Sequence, residues 1–324
     1  MGASIARPAR AFVKPGTGIG QQVNWLKTTG MAAAGVLALG MGASAYGRAR
    51  WSLQTSRLLG RLEAARGATR FPAYRADDLD GLPAPVQRYF RAVLVDGQPA
   101  IGAVNMRHEG TFNTGDRAEN WKPFTSRQRV VIHRPGFVWD AKIMMAPGLP
   151  VRVHDAYIDG RGFLAAALAG AYPVADMKPS PALDEGELMR FLAEAAWYPT
   201  ALLPGQGVRW DAVDAHSARA TLADGKTSAS LLFRFNGDGL IDTVTADARG
   251  RTVGRDVVMT PWQGRWSGYA WRHRMLLPME GEVAWLTPGK RLPYWRGRVL
   301  ALDVEQAPHA AAGSAAATGA APAR

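Results

Sequence analysis

The groups able to do chemistry in this chain are scattered rather than set in a signature. Its histidines stand at His108, His133, His154, His216, His273 and His309. No two lie one helical turn apart, the spacing by which a single element holds a metal, so no metal site is expected. Cysteine is absent, which removes thiolate nucleophiles, disulfides and cysteine-ligated zinc together. No glycine-rich phosphate cradle follows a predicted strand and no Gly-x-Ser-x-Gly elbow occurs, so no cofactor is expected either. What remains are polar groups in apolar surroundings. His108 and Glu109 precede Gly110, His154-Asp155-x-Tyr157 lies on a predicted strand, and Glu194 stands just before Trp197-Tyr198-Pro199. A carboxyl beside two aromatics and a proline stop is a candidate for burial, and burial raises its pKa toward the range of a general acid. Glu194 with His108 or His154, and with Asp155 nearby, is therefore the candidate acid–base set of a hydrolase. The plainer reading makes Glu194 the partner of an arginine or a loop cap, and the histidines satisfied sheet residues.

Tryptophan is the more informative residue. Five of the eleven, Trp262, Trp266, Trp271, Trp285 and Trp295, fall within a short C-terminal stretch. On a strand, Trp262, Gly264 and Trp266 share a face, so two large rings flank a gap that a ligand or another backbone could enter. The competing reading is a filled corner of the core.

Strands must position most of these residues. Beyond residue 100 the pattern is apolar–polar alternation bounded by turn pairs, the mark of hairpins. Strands are predicted over 104–112, 124–133, 137–145, 151–158, 208–213, 218–222, 228–235, 240–248, 262–269, 271–277, 282–286 and 294–304. Between them stand the turn signals Arg134-Pro-Gly136, Asp159-Gly160, Asp224-Gly225 and Asn236-Gly-Asp-Gly239. Connections so short make neighbours antiparallel. One helix interrupts the series, from Asp184 to about Tyr198, with Leu188, Phe191, Leu192 and Ala195 as its apolar stripe and Pro199 as its stop. A shorter docking helix follows the prolines near residue 83, with Val86, Tyr89, Phe90 and Val93 on one face. The predicted fold is mainly β: a curved antiparallel sheet or half-open barrel with one covering helix.

The formal charge of +12 is concentrated at the N-terminus. Residues 1–75 hold eleven Lys or Arg against Glu63 alone, and the remaining residues carry 28 basic and 26 acidic groups. A nearly neutral body lacks the cationic face that phosphate neutralisation demands, so no nucleic-acid partner is expected. Residues 28–46 are uncharged and rich in Ala and Gly, with Ala43-Ser44-Ala45 in the form of a cleavage site. The segment reads as a secretory signal or a single membrane span at the lower limit of length. Either places the protein at a bacterial inner membrane or in the periplasm, with a membrane as partner and sidedness open. Trp51, Leu58, Leu62 and Ala65 share a helical face beside Arg57, Arg61 and Arg66, a stretch suited either to anionic headgroups or to a solvated linker. The organisation expected is a basic extension (1–27), the apolar segment (28–46), a basic linker or amphipathic helix (47–79), one β-rich domain (80–306) and a disordered tail (307–324).

With these residues in view, the chain resembles a widespread bacterial family of unknown function over about residues 80 to 304. The shared phrases read Leu82-Pro-x-Pro-Val-Gln-Arg-Tyr-Phe90, His108-x-Gly110, Pro135-Gly-Phe-x-Trp139, Glu187-Leu-x-Arg-x-Leu-Ala-Glu194, Trp197-Tyr-Pro-Thr200, Pro261-Trp262, Gly281-Glu-Val-Ala-Trp285 and Tyr294-Trp-Arg-Gly297. The resemblance implies that Glu194, Trp197, Pro199, Trp262, Glu282, Trp285, Tyr294 and Trp295 belong to one shared site or framework. A glycine expected shortly before Pro278 is missing from Arg274-Met-Leu-Leu277. The architecture is also similar to the half-open barrels that carry lipoproteins across the periplasm, a likeness of fold that leaves function open. Together these readings make Trp197, Tyr198, Trp262, Trp266, Trp285, Glu282, Tyr294 and Trp295 the candidate ligand-binding set. The leading expectation is a membrane-associated protein holding a lipid or other apolar small molecule in a Trp-lined half-barrel. The alternatives are the hydrolase above and a structural or assembly module with an exposed apolar patch.

Overall fold

Alternating burial along the chain produces one thirteen-stranded antiparallel sheet. The computed structural model describes residues 19–67, 73–115, 118–254 and 256–307, with side chains from residue 40 onward. The chain divides into two compact units, residues 1–46 and 47–324. In the first, the backbone is helical from Ile19, the start of α1 (Ile19–Ala65). Among the described residues no helix is long and apolar enough to cross a membrane, so the expected span over 28–46 gains no support. The expected disordered tail falls almost wholly outside the described residues.

The second unit carries helix α2 (Ala84–Val93) and strands β1 (Ile101–Asn113), β2 (Trp121–Val131), β3 (Gly136–Ala146), β4 (Leu149–Ile158), β5 (Arg161–Leu168) and β6 (Tyr172–Asp176). Helix α3 (Pro181–Glu194) follows, then β7 (Arg209–Asp214), β8 (Ser217–Asp224), β9 (Thr227–Phe235), β10 (Ile241–Val253), β11 (Asp256–Arg272), β12 (Met275–Thr287) and β13 (Lys290–Gln306). Sheet order is β6-β5-β4-β3-β2-β1-β13-β12-β11-β10-β9-β8-β7. Every neighbour is a hairpin partner except the central pair, β1 with β13. The two edges, β6 and β7, are consecutive in sequence, and α3 is the segment that joins them.

Helix α3 touches β3, β4 and β5 on one side and β9 and β10 on the other. In a flat sheet β4 and β10 would stand roughly 34 Å apart at ~4.8 Å per strand. A helix only ~10 Å across meets both only if the sheet curls around it. The predicted curved sheet with a covering helix is therefore what the chain forms. Ser180 caps α3, its hydroxyl accepting from the Leu183 N–H at 3.2 Å, with Pro181 in the first turn. Buried Asp184 accepts from the Gly162 N–H at 2.8 Å and ties the helix start to β5.

Four elements depart from expectation. β5 and β6 were not predicted, because Arg161-Gly-Phe-Leu-Ala-Ala-Ala-Leu168 is Ala-rich and lacks alternation. Their turn is made by Ala169 at φ +51° and Gly170 at φ +76°, with no Asn or Asp to announce it. The strand expected over 271–277 is instead broken by the β11–β12 turn. There His273 and Arg274 take φ +50° and +64°, and His273 Nε2 donates to the Leu302 carbonyl at 2.8 Å. Arg274 opens the stretch in which a glycine was expected, and it adopts the left-handed conformation without one. Finally, the face of α1 offered to headgroups is covered by the protein itself. Leu62 packs with Ala103, Val131, Val138, Ala156 and Ile158 on the sheet face opposite α3, flanked by Leu58, Ala65 and Phe163.

Candidate functional site

Helix α3 is buried almost all round, and its stripe at Glu187, Arg190 and Glu194 puts three charged side chains inside the curl of the sheet. They form the floor of a cavity of about 250 Å³ between α3 and the sheet. Trp139 and Asp155 reach it from β3 and β4, Arg249 and Gly250 from β10, and Trp262 and Trp266 from β11. Val283 and Trp285 from β12, Tyr294 and Trp295 from β13, and Trp197 after α3 complete the aromatic wall.

The floor is a closed ionic network. Arg190 binds Asp155 Oδ2 through Nη1 at 2.5 Å and Glu194 Oε1 through Nε at 2.7 Å. Its guanidinium also lies over the rings of Phe137 and Trp139, at 4.8 and 5.0 Å. The second oxygen of Glu194 accepts from Gln128 Nε2 at 2.6 Å. Arg249 reaches Glu187 at 3.4 Å and lies 5.2 Å from the Trp262 ring. Burial, and then the neighbouring Asp155 carboxylate, push the Glu187 pKa well above the usual carboxyl range, against the pull of Arg249 and Arg190. Asp155 Oδ1 and Glu187 Oε2 each lack a donor among the described residues. The raised pKa favours the protonated form of Glu187. The network of Asp155, Glu187, Glu194, Arg190 and Arg249 is then electrically neutral.

The wall is built by packing and by indole hydrogen bonds. Trp197 donates to the Pro278 carbonyl at 2.9 Å and meets Trp266 edge-on at 4.7 Å. Trp262 donates to the Tyr294 hydroxyl at 2.8 Å, and Tyr294 stacks on Trp285 at 5.5 Å. The indole N–H groups of Trp139 and Trp266 have no acceptor among the described residues. Below the rings runs a lane of glycines in register across the sheet: Trp266 opposite Gly281, Gly281 opposite Gly297, Gly297 opposite Gly110. A Cβ at Gly281 would stand 2.6 Å from the Trp266 ring, and one at Gly297 would collide with Trp295. The lane is what lets the indoles lie flat on the backbone.

Six of the eight predicted ligand-binding residues line the cavity: Trp197, Trp262, Trp266, Trp285, Tyr294 and Trp295. Tyr198 does not; it is fully buried, and its hydroxyl donates to the Phe191 carbonyl at 2.8 Å, satisfying the last turn of α3. Glu282 lies on the opposite face, bound to Arg291 and Arg296 at 2.5 Å each. Burial raises its pKa, and the bonds to Arg296 and Arg291 outweigh that and hold it low. The gap expected over Gly264 is filled by the ring of Trp262, 3.2 Å from where a Cβ would be.

Of the candidate catalytic residues, Glu194 and Asp155 reach the cavity with their partners already engaged. His108 lies beside the wall, 5.0 Å from the Trp197 ring, and burial followed by Arg190 lowers its pKa to about 3. His154 sits on the other face, stacked on Trp51 at 3.9 Å and 2.7 Å from the Thr55 hydroxyl. Burial lowers its pKa to about 4 against the pull of Asp140. A Glu194–His154 pair is therefore corrected: the sheet separates them. Sequence reasoning missed Arg190 and Arg249. The first was legible, since Glu187, Arg190 and Glu194 recur on one helical face. Arg249 enters through a β-bulge between Ala246 and Arg249, for which alternation gives no sign.

Fold and site define an open antiparallel β half-barrel with one helix across its concave face and a Trp-lined cavity beneath the helix. Residues 80–303 match the model of the family of unknown function DUF6920, and the chain belongs to that family. No curated protein matches it. Among solved structures it is similar to a LolA superfamily protein of Nitrosomonas europaea, at 9% identity and a TM-score of 0.29 over 70% of this chain and 96% of that one.

Proposed function

We propose that the protein binds one small apolar or amphiphilic molecule, of the bulk of a single acyl chain, in the cavity under α3, and does so in association with a membrane. The observation that carries this reading is the cavity itself: about 250 Å³ walled by indoles, just below the ~300 Å³ at which ligand pockets typically begin. Its charged floor is already neutralised internally, so an apolar guest meets no unpaired charge. A lipid acyl chain meets that demand.

Titration of the delipidated protein with a monomeric fatty acid tests the reading through tryptophan fluorescence. Saturable quenching at one site is expected. V283W, which fills the cavity from β12, should abolish it while leaving the thermal midpoint close to that of the parent. A flat titration of well-folded parent protein overturns the proposal.

A further inference from the structure

The charged side chains that line the cavity do not balance. Asp155, Glu187 and Glu194 stand against Arg190 and Arg249, three carboxyls to two guanidiniums, and among the described residues no other charged side chain lines it. With every group ionised the floor carries one negative charge in excess. Arg190 is shared between Asp155 and Glu194 at 2.5 and 2.7 Å, whereas Arg249 meets Glu187 only at 3.4 Å. The excess therefore falls on Glu187, whose side chain is 4% exposed. A buried charge without a full partner is costly, so a positive charge must accompany it. Without a guest that charge is a proton, in keeping with the raised pKa of Glu187.

Two further observations say what else the floor accepts. Asp155 Oδ1 and Glu187 Oε2, on two side chains that line the cavity, have no donor among the described residues. One proton supplies a single donor; a primary ammonium supplies three. The wall also suits a cation. Guanidiniums already lie against its rings, Arg190 at 5.0 Å from Trp139, Arg249 at 5.2 Å from Trp262 and Arg251 at 5.8 Å from Trp285. The negative faces of indoles attract cations and repel carboxylates.

We propose that the cavity takes an amphiphile with a primary ammonium head, the head lying against Glu187 and Asp155 and balancing the floor, the single alkyl chain lying against the indoles. The inference rests on the reading of the cavity as a ligand site and names the head that such a guest carries. Binding releases the Glu187 proton to solvent, so affinity rises with pH as long as the amine, with a pKa of about 10.4 like that of lysine, stays charged. The other groups around Glu187 keep their charge through the exchange. Burial holds His108 on β1 neutral, with a pKa of about 3, and raises that of the Tyr294 phenol on β13, while Arg190 and Arg249 stay cationic.

Isothermal titration calorimetry of the delipidated full-length protein with decylammonium, decanol and decanoate holds the chain constant and varies the head. At pH 8 decylammonium should bind at least about tenfold more tightly than either of the others. At pH 6, in paired buffers of unlike ionisation enthalpy, its binding should release roughly one proton, and that of decanol none. The formal charge of +12 draws decanoate rather than decylammonium toward the protein, so the expected order runs against the charge of the whole chain. E187Q should remove both the ammonium's advantage over the alcohol and its proton release. Head order and proton count are read on the parent, independently of how stable the variant is. Equal binding of decylammonium and decanol by the parent, or ammonium binding without proton release, overturns the proposal and leaves the cavity reading standing. Binding of none of the three by folded parent overturns both.

Discussion

At the scale of single residues, the cavity floor depends on one proton. Glu187 neighbours Asp155, and with both ionised the pair would place like charges close together in a buried site; a proton on Glu187 removes that repulsion. A carboxyl whose folded pKa lies above its unfolded value adds stability that is complete below the unfolded pKa and is lost as pH rises toward the folded one. Buried His108 and His154 pull the other way up to about pH 6.5, so the loss is read as a difference: the midpoint of the parent minus that of E187Q should fall as pH rises. E187Q keeps the shape and supplies a permanent N–H donor, so its midpoint should exceed that of the parent at pH 8. Equal slopes for the two proteins would mean that Glu187 does not carry the proton. The residues of this floor were only partly legible in the sequence. Glu194 was singled out, and its arginine partner was foreseen as the plainer reading. Glu282 was misplaced because its phrase ends in Trp285, which does face the cavity, whereas strand parity turns Glu282 away from the wall.

At the scale of elements, the glycine lane decides how closely rings approach backbone. G281A introduces a Cβ 2.6 Å from Trp266, a contact that one ring or the other must relieve. It should cost about 1–3 kcal/mol in denaturant titration and alter the near-ultraviolet dichroism of the indoles. G264A, with 3.2 Å to the Trp262 ring, should cost less. A result in the reverse order would argue against rings seated on the lane. Strands with alternation and turn pairs were legible almost to the residue, as with β3 and β4. Those without were missed for physical reasons: Ala-rich β5 packs small side chains rather than alternating ones, and His273-Arg274 turns with residue types that rarely adopt positive φ. Helix α3 was placed but begun three residues late, since Ser180-Pro181 rather than Asp184 starts it.

At the scale of the whole molecule, the sheet is covered on both faces, by α3 within the curl and by the last turns of α1 outside it. Leu62 is 1% exposed and sits over Gly136, where a Cβ would fall 2.8 Å from its methyl. Trp51 donates to Asp140 Oδ1 at 2.9 Å and anchors the same helix a few turns earlier. L62A should cost about 2–5 kcal/mol, and amide exchange should rise over residues 47–65 before it rises in β1 to β4. A change below about 1 kcal/mol would show that α1 is not part of the cooperative unit. The basic face of α1 looked ready for a lipid surface because a sequence cannot reveal that a sheet elsewhere in the chain already claims its apolar side.

Val104 pairs with Val304, so the seam of the sheet joins residues two hundred positions apart, while every other rung joins chain neighbours. Each half can zip by local steps, and only the seam pays a long loop closure. The protein thus wears its natural breakpoint in the middle of its chain and its joined ends at the centre of its sheet. Fragments parted between β6 and α3 would each keep an unbroken ladder and need only one ladder between them to become whole again.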